Sequence, residues 1–459
     1  MGFLDRVRRR RSGRPRVFIL GLDGTPHGLI LDLFAKGVLK NLAEIAGKGS
    51  LLRMSTTIPE VSSVAWTTFM TGVNPGRHGV FGFVDLKPGT YTNYFPNATH
   101  VRSPCLWHLL GKEGKRSVIV NMPSTYPAQE LNGTLVAGFV AIDLERATYP
   151  KSLVPWLKQI DYRLDVDASK ARSDKEKFIE DLNTSLANRE QAFRKLMIEE
   201  PWDLFAAVVT GTDRLHHFFW DAYEEEDSPY HSVFIDYYRR IDEMVGRLYD
   251  DLGGETAFLA LSDHGFGRLR RDVYINRWLE EQGYLSFASE KKESIEDVDP
   301  EKTKAFCMDP GRVYLNVKKR FPRGSVLPGK AADGLREELA EGLAELSFEA
   351  GGGGHPGRVL RRVYRKEELY QGPFLSSAPD LVLLAHAGNN LRGATGRDSV
   401  FDTRGPFTGM HTQDDAFFLS DRPSGAEQAP YILDVTRTAA DLLESEAGDT
   451  LEGKPLLLR

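Results

Sequence analysis

Four short stretches of the chain bring acids and imidazoles together at spacings that suit metal-assisted chemistry. "RVFILGLDG" (16–24) ends an apolar run at Asp23, and "LFAAVVTGTDRLHH" (204–217) carries Asp213 with His217 four residues later. "FLALSDHGFG" (258–267) ends a third apolar run in Asp263 and His264, and "FTGMHTQDD" (407–415) offers His411. An Asp and a His four apart on a helical turn share a face and can grip one ion. A single acid after a strand is usually a turn former or a helix cap, but several together weaken that reading. Mixed carboxylate and imidazole ligands suit zinc or manganese, and a catalytic site leaves a coordination position open for substrate. Asp23, Asp263 and His264 can make one such set, and Asp213, His217 and His411 a second. Two ions about 4 Å apart would clamp the entering and leaving oxygens of a phosphoryl transfer.

A nucleophile is offered by "TTIPEVSSVAWTTFMTGVNPGRHG" (56–79), where Ser62 stands ready to open a helix-like run to Met70. A helix N-terminus presents backbone donors to a phosphate, and a neighbouring metal lowers a hydroxyl pKa. The plainer reading of Ser62 is an N-cap, which is compatible with catalysis. Ser63 is its substitute.

Elements of an α/β fold must position these groups. Short apolar runs alternate with longer helical patterns, the mark of a largely parallel sheet flanked by helices. Strands are expected at 16–24, 116–123, 204–213 and 256–265, with 378–386 ("APDLVLLAH") as a fifth. Helices are expected over 173–200 and 233–252, whose apolar residues recur at helical spacing. In open parallel sheets, ligands bind beyond the carboxyl ends of the strands, and three of these strands deliver an Asp there.

At 459 residues the chain exceeds a usual single core, so one large domain with an insertion, or two domains, is expected. The catalytic part is placed at 16–269 and 377–459, with 270–376 as an inserted cap. That region holds the charged "SEKKESIEDVDPEKTK" (289–304) and the glycine run "GGGGHPG" (351–357), in which His355 reads as a loop residue. Lys318, Lys319, Arg320 and Arg323 in the cap can meet an anionic substrate, against the plainer reading of a solvated charged face. A net charge of −6 argues against nucleic acid as a general partner, whose binding rests on neutralising phosphates. Residues 1–15 read as a disordered basic arm without the apolar core of a secretory signal, and Arg6 stands where a myristoylation motif needs Ser or Thr. Contact of Phe3, Leu4 and Val7 with anionic lipid is the lesser reading of this arm. No apolar run is long enough to cross a bilayer, and Cys105 and Cys307 cannot form a disulfide framework. The cytoplasm is the default compartment.

Taken together, "LGLDG", "VSSVAWTTFMTGVNPGRHG", "TDRLHH", "SDHGFG" and "GMHT", in that order, resemble the alkaline phosphatase superfamily, most closely its type I phosphodiesterase and nucleotide pyrophosphatase branch. The resemblance is closer still to predicted phosphohydrolases and phosphomutases of that branch. It extends through "VRSPCLWHLLGKEGKRSVIVNMPSTYPA" (101–128), "APDLVLL" and the C-terminal "LEGKPLL", nearly the whole chain after the basic arm. It implies an alkaline phosphatase-like fold and two zinc or zinc-like ions. Asp23, Asp263, His264 and the Ser62 oxygen would hold one, and Asp213, His217 and His411 the other. Ser62 would form a phosphoserine on a small phosphorylated substrate, which water then hydrolyses.

The chain also departs from its relatives. Where nucleotide pyrophosphatases carry an Asn beyond the "HG" turn, "HGVFGFVDL" (78–86) has Phe83, so the phosphoryl oxygen needs donors such as the amides around Ser62, or Asn74. Arg77 and Arg214 are candidate phosphate forks, with surface ion pairs as the plainer reading. The sulfatase pattern is missed by "CMDPGR" (307–312) and by "SSVAW". A phosphoester hydrolase is the first expectation, a phosphomutase using the same metals and phosphoserine the second, and a metal-stabilised binding protein that does not need Ser62 the third.

Overall fold

Strand β1 (Arg16–Leu22) is buried at every position after its first, in the computed structural model that describes residues 14–350, 354–403 and 405–458. The basic arm expected over 1–15 lies, up to residue 13, outside the described residues. With β1, the strands β2 (Ser50–Met54), β3 (Ser117–Met122), β4 (Gly133–Ala137), β5 (Thr148–Tyr149), β6 (Leu204–Val209), β7 (Thr256–Leu261) and β8 (Ala416–Ser420) form one sheet. Their order is β2-β8-β7-β1-β6-β3-β4-β5. The pairs β7-β1, β1-β6, β6-β3 and β3-β4 are parallel, and only β8 and β5 run against the rest.

The apolar runs are continuous because both sheet faces are covered. Phe18, Leu20 and Leu22 point to one layer, built with helices α2 (Lys175–Glu199), α3 (Gly211–Glu224) and α4 (His231–Leu252). Val17 and Ile19 point to the other, built with α1 (Ser62–Thr71) and α5 (Ile432–Leu442). Phe18 stacks between Phe205 at 5.1 Å and Phe258 at 5.8 Å, a ring ladder across β6, β1 and β7. Register is thereby pinned: Leu22 lies beside Val209 and Gly21 beside Leu261. The carboxyl ends of the three strands consequently finish level.

After β7 the chain enters the strand Gly265–Arg268, which pairs antiparallel with Gly409–Thr412. Between the two halves of this ribbon lies a unit with its own sheets and apolar core. Its main sheet has the order Ala305–Met308, Arg312–Leu315, Leu381–Ala385, Leu360–Arg365, packed against the helix Lys330–Ala344. The run 378–386, expected as a fifth strand of the large sheet, is therefore a strand of this inserted sheet, paired with Arg312–Leu315 and Leu360–Arg365. Its place in the large sheet is taken by β8, which pairs antiparallel with both β2 and β7. The smaller sheets continue past residue 376 to Asn389–Arg392 and Phe401–Asp402.

The loop after α1 ties the two units together. Arg312 is fully buried, and its Nη1 donates to Asp85, its Nη2 to the carbonyls of Val84 (2.5 Å) and Asp309 (2.6 Å). Gly82 leaves room for it: a Cβ there would fall 2.1 Å from the guanidinium carbon. Burial lifts the Asp85 carboxyl above its usual range in spite of Arg312, so the pair serves position more than stability. Removing one partner still strands the other. We expect Arg312→Ala to cost about 3–5 kcal/mol in urea unfolding, and Arg312→Ala with Asp85→Ala to cost clearly less than the sum of the two single changes.

Candidate active site

Each acid is placed by the backbone that follows its strand. Asp23 comes directly after β1, and its amide donates to the Val209 carbonyl (3.1 Å). Trp66 of α1 donates its indole N–H to Asp23 Oδ2 (3.2 Å), and Gly21 makes way for the Trp66 ring, because a Cβ there would lie 2.4 Å from it. Asp263 follows β7 and takes the Gly24 amide on Oδ1 (3.1 Å), while its Oδ2 is buried without a hydrogen-bond partner. Asp213 sits in the first turn of α3 with His217 one turn on, as their spacing implied. His411 arrives on the ribbon strand Gly409–Thr412, opposite Phe266.

Backbone carbonyls decide which imidazole nitrogen faces inward. His264 donates Nδ1–H to the Gly265 carbonyl (2.9 Å) and His411 donates Nδ1–H to the Glu60 carbonyl (2.8 Å). Both Nε2 lone pairs are therefore turned into the site, the arrangement a metal ligand needs. His264 Nε2 lies 3.1 Å from Ser62 Oγ, 3.5 Å from Asp263 Oδ2 and 3.7 Å from Asp23 Oδ1. His411 Nε2 lies 3.1 Å from Asp213 Oδ1 and 3.1 Å from His217 Nε2, which is itself 3.4 Å from Asp213 Oδ1. Asp213 Oδ1 joins the two groups, being also 4.0 Å from His264 Nε2.

Charge and burial conflict here. Burial, followed by the negative charges of Asp263 and Asp213, holds the Asp23 carboxyl well above its usual range, and burial pushes Asp263 up to about 7. Burial works the same way on Asp213, but His217 and His411 bring it well below. Burial lowers His217 to about 4 and His264 far down as well, so both stay neutral; His411 is raised by its bond to Asp213 against the pull of burial. Crowded carboxylates, inward lone pairs and an orphan buried oxygen are what divalent cations satisfy. Donor atoms of Asp213, His217 and His411 lie within 4.8 Å of one another, as do those of Asp23, Asp213 and His264, so each of these groups, which share Asp213, fits a divalent ion.

Ser62 is the first residue of α1, and the cap position belongs to Val61, which supplies no side-chain bond. The N-cap reading of Ser62 therefore does not hold: its hydroxyl instead donates to Asp23 Oδ1 (3.3 Å) beside His264 Nε2. The first amides of an uncapped helix have no internal acceptor. Ser63 adds a buried Oγ without a partner.

These groups open on a cleft of about 580 Å³ whose walls come from both units, including Ser62, Ser63, Phe83 and Phe139 on one side and Pro310 and Leu391 on the other. Arg214 reaches it, its guanidinium bound to Asp165 Oδ2 (2.7 Å) and Asp213 Oδ2 (3.3 Å) and lying over Phe139 at 4.3 Å. The two other expected substrate ligands are not brought there. Asn74 caps the short helix Pro75–His78 and donates to Glu452, and Arg77 pairs with Glu452 at 3.3 Å. Both are occupied by the local turn and the C-terminal segment. Among the cap's basic residues, Arg320 is held by Asp380 (2.6 Å), while Lys318, Lys319 and Arg323 line a separate depression. The side chain of His355 lies outside the described residues. Sequence reasoning missed His216, which sits fully buried between the Gly24 carbonyl (3.0 Å) and Tyr238 Oη (2.7 Å) and supports the turn after Asp23. It also missed Arg172, Phe95, Phe139, Phe407 and Arg392 of the cleft, of which only Phe407 stands in one of the quoted stretches.

A family model described as type I phosphodiesterase / nucleotide pyrophosphatase matches residues 17–414. No curated protein matches the chain in sequence. Among solved structures, phosphonoacetate hydrolase from Sinorhizobium meliloti 1021, in complex with phosphonoformate, is similar with a TM-score of 0.62 at 15% identity, covering 94% of this chain and 96% of that one. Murine ectonucleotide pyrophosphatase / phosphodiesterase 5 in complex with AMP gives 0.57 at 14% identity, covering 96% and 97%. The alkaline phosphatase PafA gives 0.59 at 12% identity, covering 97% and 98%. These likenesses show an alkaline phosphatase-like fold.

The contact beneath Asp23 can be probed directly. We expect Gly21→Ala to lower stability by about 1–3 kcal/mol in thermal unfolding through collision with Trp66. Combining it with Trp66→Phe, which shortens the ring, should recover part of that loss.

Proposed function

Because the chain belongs to the type I phosphodiesterase / nucleotide pyrophosphatase family, within the alkaline phosphatase superfamily of phosphoric ester hydrolases, we propose that it hydrolyses a small phosphorylated substrate through a phosphoserine on Ser62. The observation that carries this reading is the setting of Ser62 Oγ. It stands at the first position of an uncapped helix, 3.3 Å from Asp23 Oδ1 and 3.1 Å from His264 Nε2. Asp23, Asp263, His264 and the Ser62 oxygen would hold one divalent ion, and Asp213, His217 and His411 the other, zinc in first place and manganese as the alternative. When bound, two such ions lower the pKa of a hydroxyl and of water and neutralise charge on the transferring phosphoryl group.

The residues of the chain do the rest. Ser62 Oγ loses its proton and attacks phosphorus, the ester oxygen leaves, and water later cleaves the phosphoserine to regenerate the hydroxyl. The amides of Ser62 and Ser63, with the unpartnered Ser63 Oγ, would donate to a phosphoryl oxygen and so stand in for the Asn position taken by Phe83. Arg214, already bound to Asp165 and Asp213, orients Asp213 rather than gripping substrate. The inserted unit would govern access, since its residues complete the cleft. Similar proteins hold phosphonoformate and AMP, small anions of the right kind. A reducing compartment such as the cytoplasm suits Cys105 and Cys307, both buried and unpaired. Among the described residues no helix is long and apolar enough to cross a membrane.

Chelator treatment should lower the melting temperature, and zinc or manganese at about 100 times its dissociation constant should restore about 2.7 kcal/mol for each site filled. An unchanged melting curve would argue against bound metal. With metal restored, a chromogenic phosphodiester and the matching monoester test the chemistry. Ser62→Ala and Asp263→Asn should each lose about 10³-fold or more in kcat, and acid quenching should trap phosphate on Ser62 in the wild type. Full turnover by Asp263→Asn would sink the metal assignment. Interconversion of sugar phosphates without net hydrolysis would point to a phosphomutase.

A further inference from the structure

We infer that the group esterified to the phosphate is an apolar chain, and that Phe83 helps select it; this rests on the hydrolase reading above. The core side of the cleft presents Phe83, Phe95 and Phe139, and the cap side presents Pro310, Leu383 and Leu391. Phe83 occupies the place where a polar donor was expected, and its ring lies parallel to Phe139, at 2° and 5.4 Å between centroids. A planar base inserted between two rings needs about 7 Å, twice an ordinary carbon contact. Arg214 lies over the Phe139 ring at 4.3 Å, and Phe95 meets Phe83 edge-on at 72°. The pair of Phe83 and Phe139 therefore has no room for a base between its rings.

Nor does the cap side read base edges. Asn389 donates its amide to the His386 carbonyl (3.1 Å), and Asn390 donates to Asp272 Oδ1 (2.6 Å). Asp309 accepts from the Gly393 amide and faces Arg392 at 3.8 Å. These polar groups of the wall each have a partner within the cap, and Pro310, Leu383 and Leu391 stand among them. Phe95 is 57% exposed, an aromatic ring that an apolar ligand would cover. Of the guanidinium groups lining the cleft, Arg214 is bound to Asp165 and Asp213, Arg392 faces Asp309, and Arg172 lies over the Phe407 ring.

A series of methyl, butyl and hexyl p-nitrophenyl phosphodiesters tests this on the metal-loaded wild-type protein, beside a nucleoside p-nitrophenyl phosphodiester. We expect kcat/KM to rise about two- to fourfold per added methylene, mostly through KM, and the nucleoside ester to trail the hexyl ester. Phe83→Asn should reduce the hexyl-to-methyl ratio, and Phe83→Leu should keep most of it. Equal rates along the series, or preference for the nucleoside ester, would overturn the inference while leaving the hydrolase reading intact. Calorimetric binding of methyl-, butyl- and hexylphosphonate gives the same chain-length dependence without turnover. Affinity that does not climb with length would overturn the inference even in a protein that cleaves no ester.

Discussion

Three carboxylates, Asp23, Asp213 and Asp263, are held together away from water, and much of the molecule is arranged around that unfavourable fact. Burial alone would drive such acids to bind protons, and each makes it harder for the others to ionise. Only a scaffold that cannot relax can keep them in place. The parallel trio β7-β1-β6 is such a scaffold, because its ring ladder fixes the register and the register levels the strand ends. Trp66, the Gly24 amide and His216 then fasten the first residues beyond those ends. The strain of like charges is offset at Asp213 by His217 and His411.

Much of this was legible in the sequence. The strands ending at Asp23 and Asp263 and the one preceding Asp213 announce themselves as apolar runs with an acid beyond, and the four-residue spacing of Asp213 and His217 survives as one helical turn. What could not be read is which sheet an apolar run joins. "APDLVLLAH" has the pattern of a buried strand and is one, but burial pattern carries no address, and its partners are Arg312–Leu315 and Leu360–Arg365. Asn74 and Arg77 misled for a different reason. Both types serve turns and ion pairs as readily as phosphates, and here Glu452, distant in sequence, claims them. The cleft aromatics come from separate loops, so no local spacing unites Phe83, Phe95, Phe139 and Phe407.

The buried Arg312 shows how the two units agree on a common cleft. It holds Asp85 and the Val84 carbonyl of the core loop and the Asp309 carbonyl of the cap, thereby setting the neighbours of Phe83 and Pro310 together. A surface contact would let the walls drift apart at little cost. A buried, multiply bonded guanidinium makes any such drift expose an unsolvated charge.

The ribbon of Gly265–Arg268 and Gly409–Thr412 has a further meaning for how such a protein can change. Its two strands close the chain on itself beside the site, with His264 just ahead of one strand and His411 within the other. Everything between them is, for the catalytic sheet, a single loop. The entropy of closing a loop grows only logarithmically, by about 0.6 kcal/mol for each doubling of its length. The inserted unit can therefore be lengthened, shortened or exchanged wholesale while the cluster of acids and imidazoles keeps its geometry, and the chemistry and the choice of substrate can evolve on separate stretches of the chain.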